Sequence, residues 1–159
     1  MPSQQRADTM IIIERMFAQD ASTLFRAWTE PDQMARWRGS PGWHVETDGL
    51  VSELRPGGRH HHVKVRDDDP SVRVTTDAMF TEFFDPDVFV ALQQISGDPE
   101  IDPQQRMELR VEFVKTGRDG TLVRIIQGPY PPSIADQHSA GWEAELGRLE
   151  TYLAGGGAR

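Results

Sequence analysis

The residues with the greatest capacity for chemistry are the consecutive histidines His60, His61 and His62. On a strand, side chains alternate between faces, so His60 and His62 leave one face roughly 6–7 Å apart while His61 points to the other. Such a pair can give a bound molecule a polar handle, move protons near neutral pH, or supply half of a metal site. The plainer outcome is a partly exposed edge-strand pair without chemistry. No H-x-E or similar spacing adds a third ligand nearby, so no metal site is assigned. His138 stands one helical turn before Trp142, which turns it toward the sheet, where a hydrogen-bonded core histidine is the ordinary outcome. Glu53 and Glu82 are single carboxylates, and no acid pair has the spacing that general acid/base work requires. Gly57-Gly58 and Gly155-Gly156-Gly157 precede no helix and so are not phosphate loops. The absence of cysteine removes disulfides, thiolate metal sites and thiol nucleophiles together.

These groups need a frame. Residues 9–17 are β-branched and apolar and predict a strand. Asp20 is the expected N-cap of a helix over 21–28 with Leu24, Ala27 and Trp28 on one face. Thr29 is the expected cap of a second short helix that begins at Pro31 and carries Met34 and Trp37 on one side. Gly39, Pro41 and Gly42 break that helix. Further strands are predicted over 43–48, 59–66, 72–84, 88–94, 105–115 and 121–127, with turns at 56–58, 67–70, 85–86 and 117–120. Met107, Leu109, Val111 and Phe113 alternate with Glu108, Arg110 and Glu112, the pattern of a sheet with one wet face. The segment 96–103 reads as a surface loop. Ser133 is the expected N-cap of a final helix, with Asp136 as its capping-box partner. Ile134, His138, Trp142, Leu146, Leu149 and Leu153 form that helix's apolar stripe, which ends at Gly155.

Composition sets the outer bounds. With 25 acidic and 17 basic residues the net charge is −8, and no Lys/Arg cluster longer than a pair occurs, so nucleic acid is not an expected partner. A chain of 159 residues, 37% hydrophobic and 26% charged, has the size and make-up of one ordered domain. The predicted organisation is a flexible N-terminus over 1–8, a single domain over 9–154 and a flexible tail over 155–159. The longest apolar run, Met10 to Ile13, is too short to cross a bilayer, so membrane insertion is not expected and a cytoplasmic location is. Lysine occurs only at Lys64 and Lys115 while arginine is frequent, a bias that points to a GC-rich, bacterial genome.

Against this frame a family pattern stands out. Phe25-Arg26-Ala27-Trp28-Thr29-Glu30-Pro31, followed by Met34-Ala35-Arg36-Trp37, resembles the helix-pair signature of the activator of heat-shock protein 90 ATPase homologue 1-like family, in the START-like (SRPBCC) superfamily. Leu54-Arg55-Pro56-Gly57-Gly58 resembles the family's turn before its third strand, and Glu82-Phe83-Phe84-Asp85-Pro86 its strand-end motif. Gly141-Trp142 with Leu146, Leu149, Tyr152 and Leu153 is similar to its last helix. The chain departs from the pattern at Arg38, where many members carry a second Trp, and at His60-His61-His62, where aromatic or apolar residues are usual.

The resemblance implies an α+β helix-grip fold: a curved antiparallel sheet around a long C-terminal helix, with two short helices after the first strand and a cavity between sheet and final helix. The expected site is that cavity, with Trp37 and Trp43 near its mouth, His60, His62 and His138 as polar groups, and Trp142 behind them. Trp28 and Trp142 have core packing as their ordinary use, while for Trp37 and Trp43, which flank the Gly-Pro-Gly break, packing and gripping a ligand stand as equal alternatives. The function expected is non-catalytic binding of a small apolar or aromatic ligand, with no cofactor. The alternatives are a polyketide cyclase- or dehydratase-like enzyme using the cavity histidines, and a co-chaperone-like protein-interaction domain. A homodimer is compatible with either class.

Overall fold

The computed structural model describes residues 9–117 and 120–155, so the expected flexible N-terminus over 1–8, and all of the expected tail over 155–159 except Gly155, lie outside the described residues. The chain runs β1 (Thr9–Phe17), α1 (Ala21–Thr29), α2 (Pro31–Trp37), β2 (Trp43–Val45), β3 (Val51–Ser52), β4 (Arg59–Arg66), β5 (Asp69–Phe84), β6 (Val88–Ser96), β7 (Arg106–Lys115), β8 (Thr121–Tyr130) and α3 (Pro132–Ala154). The strands pair antiparallel in the order β1-β8-β7-β6-β5-β4-β2, with β3 also on β4. This sheet curls round α3, the helix-grip arrangement.

Local chemistry explains most boundaries. The Thr23 N–H donates to Asp20 Oδ1 at 2.8 Å, so Asp20 caps α1 as expected. Thr29 does not cap α2. It is the last residue of α1 and its Oγ1 donates back to the Phe25 carbonyl, while Glu30 takes the cap position and Pro31 starts the new helix with a preset φ. Ser133 is likewise inside α3 rather than its cap, because Pro132 already opens the helix and Pro131 precedes it. The predicted strand over 43–48 ends at Val45, and the short β3 follows after Gly49 turns the chain with φ +78°. At Gly58 a Cβ would stand 2.2 Å from the Glu53 carbonyl oxygen, so only glycine lets the chain double back into β4.

The inward faces of the strands make the core. Ile11 and Ile13 on β1, Leu109 and Val111 on β7, and Val123 and Ile125 on β8 pack with Leu146 and Leu149 of α3. Near α1 the core is aromatic: Phe25 meets Phe83, Phe89 and Phe113 edge-on at ring separations of 5.2, 6.0 and 5.3 Å. The β5–β6 register shifts between Phe80 and Glu82, which switches β5 from even-numbered inward residues (Thr76, Ala78, Phe80) to Phe83. That shift brings Phe83 onto Phe25 and Phe80. Farther along the same concave face the inward positions turn polar, with His62 and Lys64 on β4, Thr76 on β5, Gln93 on β6 and Gln127 on β8. Polar side chains cannot fill space against α3 as cheaply as apolar ones, and there the core opens.

Candidate functional site

A cavity of about 270 Å³ lies between this polar end of the sheet and the N-terminal half of α3. One end is built by residues from α2 and α3. Arg38 and Glu145 are both 4% exposed, and Arg38 Nε donates to Glu145 Oε2 at 3.0 Å. The Gly39 N–H donates to the same oxygen at 2.7 Å. Burial alone would raise the Glu145 carboxyl's pKa, but the Arg38 guanidinium, Lys64 and the Gly39 N–H outweigh it and hold the group below its usual range. The Arg38 cation is also caged by indoles, lying 5.5 Å from the ring centres of Trp28 and Trp37 and 5.2 Å from that of Trp142. Gly39 has φ +105°, and a Cβ there would stand 3.2 Å from the Trp43 carbonyl oxygen, which itself accepts from Arg148. The turn that delivers Arg38 is therefore fastened to α3 at two points.

A hydrogen-bonded chain runs from Trp142 along the sheet side of the cavity. Trp142 Nε1 and Tyr130 Oη both donate to Gln127 Oε1 at 2.7 Å, and Gln127 Nε2 donates to Gln93 Oε1 at 2.8 Å. Tyr130 stacks on His138 with ring centres 4.5 Å apart, and burial raises the pKa of its hydroxyl. His138 Nε2 is 3.9 Å from Asp98 Oδ2, too far for a hydrogen bond, and has no hydrogen-bond partner among the described residues. Burial lowers the His138 pKa despite the opposing pull of Asp98. It is thus a ring on the cavity wall and not the bonded core histidine expected from its place on the stripe.

The histidine triplet alternates as the strand period requires. His60 and His62 share the inner face with ring centres 6.5 Å apart, while His61 lies on the outer face beside Asp77. Only His62 reaches the cavity. Its Nδ1 has no hydrogen-bond partner, and burial, reinforced by the Arg38 cation, holds its pKa well below the ordinary value. His60 is seated deeper, against Phe80 at 4.7 Å, with Nδ1 bonded to Ser52 Oγ at 2.9 Å. The same two causes push its pKa down to about 3.

Of the six residues expected at the cavity, Trp43, His62, His138 and Trp142 line it, and Trp37 and His60 do not. Trp37 is fully buried because its Nε1 donates to the Ala27 carbonyl at 2.8 Å and its ring packs on Trp28 at 4.9 Å. Arg38, the C-cap residue that follows α2, faces the cavity in place of Trp37. Residue types alone did not flag Arg38, Lys64, Gln93, Gln127 and Glu145, although extending the alternation His60, His62 along β4 reaches Lys64. The segment between β6 and β7, expected as a plain surface loop, folds back so that Ile101 is buried and Asp98 joins the wall. Among the described residues no group of three or more acids and histidines is placed to hold a metal ion, and no helix is long and apolar enough to cross a membrane.

A curled antiparallel sheet gripping a long final helix, with a cavity between them, defines a START-like domain. Residues 19–154 match the model of the activator of Hsp90 ATPase homolog 1-like protein family, and the chain belongs to that family. Similar solved structures agree. An AHSA1-like protein from Aeromonas hydrophila is 26% identical, with a TM-score of 0.76 over 95% of this chain and 96% of its own. The AHSA1 protein from Silicibacter pomeroyi is 19% identical, with a TM-score of 0.78 over 92% and 98%. A protein of the dynemicin biosynthetic locus shares the fold at 18% identity and a TM-score of 0.71, this chain matching 49% of its length. No curated protein matches the chain significantly.

Proposed function

We propose that this protein binds a small aromatic or largely apolar molecule in the cavity between the sheet and α3, without transforming it. The observation that carries the reading is a cavity in which buried polar groups, His62 Nδ1 and His138 Nε2, lack hydrogen-bond partners among the described residues beside the apolar surfaces of Trp43, Trp142, Ile95 and Ile101. Buried polar atoms without partners cost free energy that a bound molecule can recover. The apolar walls give a ring system area to cover. A binding role rather than catalysis is supported by the histidines themselves. Neither cavity histidine is oriented by a hydrogen-bonded carboxylate, the feature that sets the tautomer of a working base.

Native mass spectrometry of the purified protein tests this reading. A bound small molecule, or uptake of added aromatic compounds at one per chain, is the expected result. A protein that carries nothing and takes up no aromatic compound at saturating concentration contradicts it.

A further inference from the structure

The hydrogen bonds on the cavity wall have a fixed direction. An indole N–H can only donate, so the Gln127 atom 2.7 Å from Trp142 Nε1 is its carbonyl oxygen. Gln127 Nε2 must then be the donor toward Gln93, whose carbonyl oxygen is consumed. The chain ends on the Gln93 NH₂ group, which has no acceptor among the described residues. Arg38 repeats the pattern: Nε is spent on Glu145, and the two terminal nitrogens have no acceptor among the described residues. Lys64 completes it. It lines the same cavity and has no ion pair among the described residues.

The acids of the wall do not balance these donors. Glu145 Oε2 already accepts from Arg38 and Gly39, and Asp98 Oδ1 accepts the Glu100 N–H. With Asp98 the wall carries two cations and two anions, but neither carboxylate bonds Lys64 or the terminal nitrogens of Arg38, and donors left without acceptors in a partly buried space are costly. A carboxylate supplies the acceptors that these donors lack.

We infer that the ligand is a small aromatic acid, its ring against Trp43 and Trp142 and its carboxylate toward Lys64, Arg38 and the Gln93 amide. This rests on the binding role proposed above. Calorimetric titration of the full chain with 2-naphthoate and its neutral isostere 2-naphthamide at neutral pH tests it. The acid should bind roughly tenfold tighter than the amide or better, as expected for hydrogen bonds to a charged group. Lys64→Met should cost the acid about tenfold more than it costs the amide, and Lys64→Arg should keep the acid's preference. Cooperative melting of both variants reports that the fold is intact. Equal affinities for acid and amide in the native chain, or an equal loss of both in Lys64→Met, would overturn the acid assignment and leave the binding role standing. Binding of neither compound would overturn both.

Discussion

Arg38 Nε donates to Glu145 Oε2 across 3.0 Å, joining the end of α2 to the middle of α3 beneath a cage of three indoles. Removing one partner from a buried pair strands the other charge. Glu145→Leu should therefore destabilise the fold by about 3–5 kcal/mol. Arg38→Met combined with Glu145→Leu should recover most of that loss, since a packed apolar pair replaces the ions. Urea unfolding of both variants and the native chain measures the difference. A double variant no more stable than Glu145→Leu alone would mean the pair holds the fold through more than its charges.

The buried histidines set the acid side of the stability curve. His60 has a folded pKa of about 3 against an ordinary 6.5, and His62 is also displaced well downward. Below pH 6.5 the unfolded chain binds protons that the folded chain refuses, so folding is favoured less as the pH falls toward the folded values. Each histidine contributes up to about 1.4 kcal/mol per pH unit in that window, and its contribution is complete above it. Glu145, whose folded pKa is lowered, adds its own loss only below its ordinary 4.5. Replacing His60 and His62 by Phe should flatten the slope between pH 6.5 and 4.5. An unchanged slope in denaturation curves over that range would show that these rings take up protons in the folded chain.

Gly141 lines the cavity from within α3, and a Cβ there would meet nothing closer than Ser40 Oγ at 3.9 Å. Gly141→Ala should thus be tolerated and gain roughly 0.5–1 kcal/mol from helix propensity. Gly141→Leu should fill part of the space and abolish ligand uptake while the protein still melts cooperatively. Full uptake by a folded Gly141→Leu variant would place the ligand elsewhere.

How much of this was legible beforehand follows from the kind of signal each residue emits. Periodicity is local, and it predicted β1, β4, the two short helices and the α3 stripe with boundaries that hold to within a few residues. The alternation also placed His60 and His62 on one face and His61 on the other. What it could not supply was depth along the strand. His60 and His62 emit the same signal, yet one is under the core and the other on the cavity wall, because depth depends on what α1 and α3 lay across the sheet. Trp37 looked like a mouth residue because it borders a glycine-rich break, but its N–H reaches back to α1 and Arg38 takes the position instead. Arg38 was visible as a departure from the family pattern. Its partner Glu145, 107 residues away, could be found only once α2 and α3 were in contact.

A small molecule bound in the space between the sheet and α3 must perturb the residues that line it. Nuclear magnetic resonance titration of the isotope-labelled protein with a set of small aromatic acids and their amides reads this most directly. Saturable shifts centred on Val74, Ile95, Ile101, Gly141 and the Trp142 indole N–H are expected. Shifts centred instead on the outer groove at Met79 and Leu92, or none at all, would contradict binding in that space.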